Sequence, residues 1–254
     1  MLLAIDVGNT NIVIGAFESD RLVKHWRVGT TPARSADEYG ILLQQLLSMA
    51  ALGFQDVDAA VLSCVVPQVE WVVVHMLEDY CQTKPLVIGP GIKTGLKVLY
   101  DNPKEVGADR IVNAVAALDQ HSGPLILVDF GTATTFDALS KEGAYLGGAI
   151  APGINISMEA LFKSASKLPR VPFSRPESII GRTTVTSIQA GLFHGYVSMV
   201  DGIVEKMAAE MANQPRVLAT GGLGKLISKA SRYIRDVDNM LTLKGLRIIH
   251  ERNL

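Results

Sequence analysis

Apolar and polar positions sort this chain into alternating strand-like and helix-like stretches. From Leu2, the segment LLAIDVGNTNIVIGAFESDRLV is an apolar run ending in Asp, a Gly/Asn turn, a second apolar run, a polar turn and a third strand-like piece. That is the pattern of a hairpin meander. Next, SADEYGILLQQLLSMAAL carries apolar residues at helical spacing behind Ser35, and Glu38 completes a capping box, so the spacing predicts a helix over about 36–52. DAAVLSCVV reads as a buried β-branched strand, PQVEWVVVHMLEDYC as a helix opened by Pro67, and PLVIG as another short strand. The first half therefore reads βββαβαβ.

The plan then repeats. LILVDFGTATTFDALSKEGAYLGGAIA, from residue 125, follows the opening meander, with Asp129 on Asp6, Gly131 on Gly8 and Thr132 on Asn9, an offset of 123 residues. One supersecondary plan used twice implies two lobes, 1–120 and 121–254, related by duplication. Helical patterns follow at about 153–165 and 184–212, then a strand at 216–220 and a last helix beginning near Gly222. Between the helical patterns, KLPRVPFSRPES at 167–178 is too rich in proline for regular helix and reads as a loop.

Composition narrows the function classes. The 254 residues are 48% hydrophobic and 19% charged with a formal net charge of −1, so acids and bases balance and no basic field would attract a nucleic-acid backbone or an anionic membrane. Apolar runs such as 125–128 and 71–74 fall far short of the roughly 18–20 residues that span a bilayer. The start, MLLAIDVGNTN, has neither a charged leader nor a long apolar segment, which favours the cytoplasm. Cys64 and Cys81 form no CxxC, and the five histidines lack metal-site spacing, so the thiols read as buried and reduced and no zinc site is expected.

Candidate chemistry gathers in four places. DVGNTN at 6–11 and DFGTAT at 129–134 each set a carboxylate at a strand end before a glycine-led turn rich in hydroxyl and amide groups. Glycine lets backbone N–H groups approach a phosphate, and the carboxylates suit Mg²⁺ or its water shell. Either loop alone also describes an ordinary hairpin turn; the pair, one from each half, can clamp a polyphosphate across a cleft. TGG at 220–222 lies at a strand end where a nucleoside could rest on backbone, although a plain strand-to-helix turn has the same letters. GLGKLIS lacks the Ser/Thr that a Walker loop needs after Lys225, and no GxGxxG is present, so P-loop and dinucleotide-binding readings fall away. In YDNPKEVGADRIVNAVAALDQ, Asp109 and Arg110 sit at a helix start, where Asp109 is either a cap or a general base and Arg110 either a surface residue or an anchor for an oxygen-rich substrate.

Taken in order, DVGNT, Tyr100 with DNP and GADR, DFGTA, GGAIAPG at 147–153 and TGG resemble the type III pantothenate kinase family along essentially the whole chain. The resemblance implies an α/β fold made of duplicated ribonuclease-H-like halves, as in actin-like ATPases and sugar kinases, with two lobes around a central ATP cleft. It implies ATP-dependent phosphorylation of pantothenate, the first step of coenzyme A synthesis, by a homodimer. Carried over residue by residue, Asp6, Val7, Gly8, Asn9, Thr10, Asn11, Ile12 and Val13 would bind ATP, with Thr132 joining from the second half. Tyr100, Gly107, Ala108, Asp109, Arg110 and Thr184 would hold pantothenate, with Asp109 as proton acceptor. Asp129 matches the position of a monovalent cation, K⁺ or NH₄⁺, required beside the divalent Mg²⁺.

Two rivals define what a test must separate. Another small-molecule kinase of this fold would phosphorylate a sugar or a carboxylate, but the short stretch from Pro90 to GADR leaves little room for a sugar-binding insert. A non-catalytic regulatory protein would not require Asp6, Asp109 and Asp129, and all three are present.

Overall fold

The computed structural model describes residues 1–211 and 214–254. The chain opens with β1 (Leu2–Val7), β2 (Asn11–Glu18), β3 (Arg21–Gly29), α1 (Ala36–Ser48), β4 (Ala59–Cys64), α2 (Pro67–Cys81), β5 (Leu86–Val87), β6 (Lys97–Val98) and α3 (Ala108–Gln120). It continues with β7 (Leu125–Phe130), β8 (Ala133–Leu139), β9 (Ala144–Pro152), α4 (Ile154–Ser164) and α5 (Thr184–Glu210). It closes with β10 (Arg216–Gly221), α6 (Gly224–Ser228), β11 (Ile234–Val237) and α7 (Leu241–Glu251). Two compact units result: Met1–Leu96 with Asp101–Asp119 and Met240–Leu254, and Lys97–Tyr100 with Gln120–Asn239.

In the first unit the sheet order is β3-β2-β1-β4-β5, an antiparallel meander extended by parallel strands. Alternation along β1 divides its side chains between two layers. Leu3, Ile5 and Val7 pack with Leu43 and Leu47 of α1 and with Val69, Val73 and Leu77 of α2. Ala4 faces the other way, in a cluster with Val61, with Val112 and Val115 of α3 and with Leu243, Leu246 and Ile249 of α7. Asp6 falls on this second side, at the strand's C-terminal end. The Ser35–Glu38 capping box that starts α1 is formed as the sequence predicts, and Pro67 takes the first turn of α2.

The second unit has the order β11-β10-β7-β8-β9-β6, which apart from β6 repeats the first sheet's order strand for strand. β7 begins and ends 123 residues after β1, although the turn into β8 is one residue tighter: Val7 pairs with Ile12, but Phe130 with Thr134. Ile126, Val128 and Phe130 face Tyr196, Val200 and Val204 of α5 and Ile227 of α6, which leaves Asp129 on the opposite face.

Several boundaries differ from the sequence expectation. α1 stops at Ser48 rather than near 52, because Ala51 takes a left-handed conformation (φ 57°) and Leu52 N–H donates back to the Leu47 carbonyl. α5 is described to Glu210, so the expected end at 212 lies outside the described residues. The single helix expected after Gly222 is instead α6, β11 and α7. Buried Asp201 of α5 causes the interruption: its carboxylate accepts from Ser231 Oγ (2.6 Å), Arg232 N (3.0 Å) and Arg232 Nε (3.2 Å), which holds a turn after α6. Residues 240–254, read with the second half, group with the first unit, and 97–100 group with the second. The proline-rich stretch 167–178 has no regular structure, as expected.

Candidate active site

Each strand-end carboxylate is placed by its own hairpin. After β1, Gly8 N–H donates to the Asn11 carbonyl (3.0 Å), and a Cβ on Gly8 would stand 3.2 Å from that oxygen. Thr30, just beyond β3, ties the turn from outside: its Oγ1 donates to the Gly8 carbonyl (2.6 Å) and its N–H to the Thr10 carbonyl (3.0 Å). Asn9 and Thr10 are thereby presented to solvent on a fixed backbone. Val7 and Ile12 are buried in the α1–α2 layer, so only their backbone is open to a ligand.

α3 brings the GADR residues to the same unit. The Gly107 carbonyl accepts from Ile111 N–H (3.2 Å), opening the helix, and Asp109 Oδ1 accepts from Arg110 N–H (2.9 Å), so Asp109 does help to cap the first turn. A Cβ on Gly107 would stand 2.5 Å from that carboxylate oxygen, so only glycine leaves the Asp109 carboxyl its place. Burial pushes the Asp109 carboxyl above the usual carboxylate range, partly offset by the hydrogen bond from Arg110 and by its charge. Arg110 is itself buried. Ala108 packs in the same apolar cluster as Val13, and Val13 is the strand partner of Asp6. The first turn of α3 and the Asp6 row thus share one face of the first sheet.

The second unit gathers another set. Thr220 of β10 and Thr135 of β8 flank Asp129 in register. At Gly221 (φ 88°) a Cβ would meet the Phe130 carbonyl oxygen at 2.6 Å and Asp129 Oδ1 at 2.7 Å, so the TGG glycine closes onto a pair of oxygens. A Cβ on Gly153 would lie 2.0 Å from the Thr132 carbonyl oxygen, which packs the Thr132 turn directly onto the start of α4. Tyr196 secures that start, its hydroxyl lying 3.0 Å from the Gly153 carbonyl. Tyr100 rests over Gly147 (φ 129°) and its ring centroid is 6.4 Å from that of fully buried Tyr145, whose hydroxyl donates to Asp137 (2.7 Å). Sequence reading missed Tyr145; an aromatic at a strand position carries no signal of its support for Tyr100.

Thr184 opens α5 behind its cap Thr183 and lines a groove of about 780 Å³ with Leu161, Leu168, Arg182, Ser187 and Leu192. None of the other candidate residues lines that groove. The thiols of Cys64 and Cys81 are each pushed up to about 11, chiefly by burial, which removes them as nucleophiles at neutral pH. Among the described residues no group of three or more His, Cys, Asp or Glu could cage a metal. Single carboxylates at strand ends instead suit a divalent ion that arrives on phosphates and keeps most of its waters.

Comparisons with known proteins identify the family. The family model for type III pantothenate kinase matches residues 2–206. The type III pantothenate kinase of Pelobacter propionicus is 57% identical over 253 residues, with 100% of both chains covered. That of Myxococcus xanthus is 58% identical, with 100% of this chain and 99% of the relative covered. Among solved structures, the activator of 2-hydroxyisocaproyl-CoA dehydratase from Clostridium difficile, with bound ADPNP, matches with a TM-score of 0.54 at 12% identity over 99% of this chain and 95% of that one. The ethanolamine utilization protein EutJ from Carboxydothermus hydrogenoformans matches at 0.59 and 14% identity, over 97% and 89%. These structural likenesses establish the fold, that of actin-like ATPases and sugar kinases.

Proposed function

This chain belongs to the type III pantothenate kinase family, and is therefore an ATP-dependent kinase that phosphorylates pantothenate in coenzyme A biosynthesis; we propose that Asp109 is its general base, between an Asp6–Val13 nucleotide loop and a Gly107–Arg110 substrate turn. The observation that carries this reading is the shared sheet face. Asp6 and the α3 turn bearing Asp109 lie on one side of the first sheet, and burial raises the pKa of the Asp109 carboxyl.

Phosphoryl transfer asks a protein for positioning and charge neutralisation more than for covalent chemistry. The primary hydroxyl of pantothenate attacks the γ-phosphorus, the bond to the bridging oxygen of ADP breaks, and the hydroxyl proton passes to Asp109. A raised pKa makes Asp109 a better proton acceptor than an ordinary surface carboxylate. Arg110 and Tyr100 would hold the rest of the substrate, and Thr184 would complete its pocket. Asp6, Gly8 and the exposed Asn9 and Thr10 would meet the phosphates, with Thr132 joining from the second half. Mg²⁺, held by Asp6 through oxygen ligands, would supply positive charge to the β- and γ-phosphates.

A monovalent cation, K⁺ or NH₄⁺, would sit at Asp129, a reading supported by the oxygens of Asp129 and Phe130 crowded at Gly221. We also read the enzyme as a homodimer of two-lobed subunits, divided near residue 120, that works in the cytoplasm, where ATP is supplied. Support for a second copy comes from the exposed Ile156, Ile179, Ile180 and Val185 around α4 and α5. On α5 itself, Cβ atoms added at Gly191, Gly195 or Gly202 would meet nothing within 4 Å. The direct test is coupled ADP release with pantothenate against a panel of sugars and carboxylates. Turnover should depend on pantothenate, and equal turnover with a sugar would refute the substrate assignment.

A further inference from the structure

Beside Asp6 stands a side chain that the reaction as described does not use. Ser63, near the end of β4, is 0% exposed, and its Oγ has no hydrogen-bond partner. A buried hydroxyl without a partner has given up its water for nothing, so alanine would serve better if the position had only to fill space.

Strand pairing shows where this hydroxyl lies. β1 and β4 are parallel and in register, with Asp6 opposite Ser63, so their Cα atoms are neighbours at roughly the 4.8 Å strand spacing. Ala60 and Leu62 of β4 join the α1–α2 layer, whereas Val61 joins the α3–α7 cluster with Ala4. Two residues beyond Val61 and Ala4, Ser63 and Asp6 therefore share the α3 side. Val13 flanks Asp6 from β2, and Ala108, next to Asp109, packs on the same cluster. A row of Val13, Asp6 and Ser63 thus crosses the sheet under the first turn of α3, with Ser63 its only neutral hydrogen-bond donor side chain.

We propose that Ser63 is a positioning residue for the metal–nucleotide site: its hydroxyl donates to the Asp6 carboxylate when the magnesium–nucleotide complex is bound, fixing the orientation of that carboxylate. The proposal rests on Asp6 as the magnesium-facing acid and adds the group that aims it. Partners that orient a metal-facing carboxylate typically matter about 10–100-fold in affinity. In the nucleotide-free protein the hydroxyl would wait unpaired, so the cost falls on the empty state and the gain on the loaded one.

The test compares binding with stability. Ser63→Ala and the volume-matched Ser63→Cys should leave the melting temperature of the nucleotide-free protein unchanged or raised. By calorimetry, both should weaken binding of Mg·ADP about tenfold and leave binding of ADP in EDTA unchanged. If Ser63→Ala binds Mg·ADP like wild type, the proposal is wrong. It is equally wrong if Ser63→Ala lowers the nucleotide-free melting temperature and weakens ADP with and without magnesium alike, since that is a packing role. Asp6→Asn separates the two layers of the reading. Should Asp6→Asn keep the full magnesium dependence, the assignment of Asp6 fails and this inference with it; should it lose that dependence while Ser63→Ala keeps it, only the inference about Ser63 fails. In the Asp6→Asn background Ser63→Ala should add no further loss, and an additional tenfold loss there would overturn the proposal.

Discussion

Asp109 carries opposing demands at the scale of a single side chain, because the burial that raises its pKa also makes its ionised form a cost to the fold. The folded state binds this proton more readily than the unfolded chain does. The associated stability is therefore present below the unfolded pKa of about 3.9 and lost as pH rises through the raised folded value. Asp109→Asn keeps the oxygen that caps Arg110 N–H and removes the buried charge. It should lower kcat by roughly 10²–10⁴ with ATP binding intact, and should raise the melting temperature at pH 7 rather than lower it. Near-wild-type turnover in the folded variant would remove Asp109 from its role, and a lower melting temperature would contradict the cost of burying its charge. On the same grounds the acid limb of the wild-type pH–kcat profile should fall off above the ordinary Asp range, as protonation of Asp109 disables the base. Asp6, Asp109 and Asp129 were legible in the sequence because acids beside glycines at strand and helix ends break an apolar pattern. Ser63 and Tyr145 were not, since a serine or tyrosine inside a strand looks like filler until pairing shows its neighbour.

Elements deliver these side chains, and two close contacts show how little slack they have. α3 meets α7 at Gly245, where a Cβ would fall 2.1 Å from the Val112 carbonyl oxygen. Gly245→Ala should therefore push α3 off its seat, costing about 1–3 kcal/mol as overpacked cores do and lowering kcat through Asp109, although residue 245 is 136 positions from that acid. Thermal melts and turnover together check this: an unchanged melting temperature would mean that the helices part without cost. The second contact joins β7 to β10 at Gly221, where the Asp129 and Phe130 oxygens converge. If a monovalent cation sits at Asp129, as proposed, replacing K⁺ with Na⁺ at constant ionic strength should abolish most activity. Equal rates in both salts would refute the cation reading. Periodicity exposed the long helices and meander strands, but β6 spans two residues and β11 four, too short for any period to register. The break between α6 and α7 is made by Asp201, some thirty residues earlier, and no local window contains it.

The duplication is the feature of the whole molecule that sequence displays most directly, because the 123-residue offset of the Asp motifs reappears in the bounds of β1 and β7 and in the common strand order. What the offset hides is that α7, at the far end of the chain, completes the first unit: the apolar face covering Ala4 and Val61 comes partly from residues 241–249. The halves are thus not self-contained in sequence, and a chain cut after residue 239 should lose the first unit's core. Thr184 raises the same question one level higher. It opens α5 in a groove that no other candidate residue lines, beside exposed apolar side chains that a second copy would cover. If the enzyme is a two-fold dimer, every contact is repeated, and a Thr184 lent to the partner's pantothenate pocket is returned at the other site. Complementation follows. Mixing an inactive Asp109→Ala chain with an inactive Thr184→Arg chain would pair an intact Asp109 with an intact Thr184 at one site of each mixed dimer. With random exchange, half the dimers are mixed and half their sites are whole, so about a quarter of wild-type activity should return. If subunits demonstrably exchange and activity stays at background, Thr184 serves its own chain and the shared-site reading is wrong.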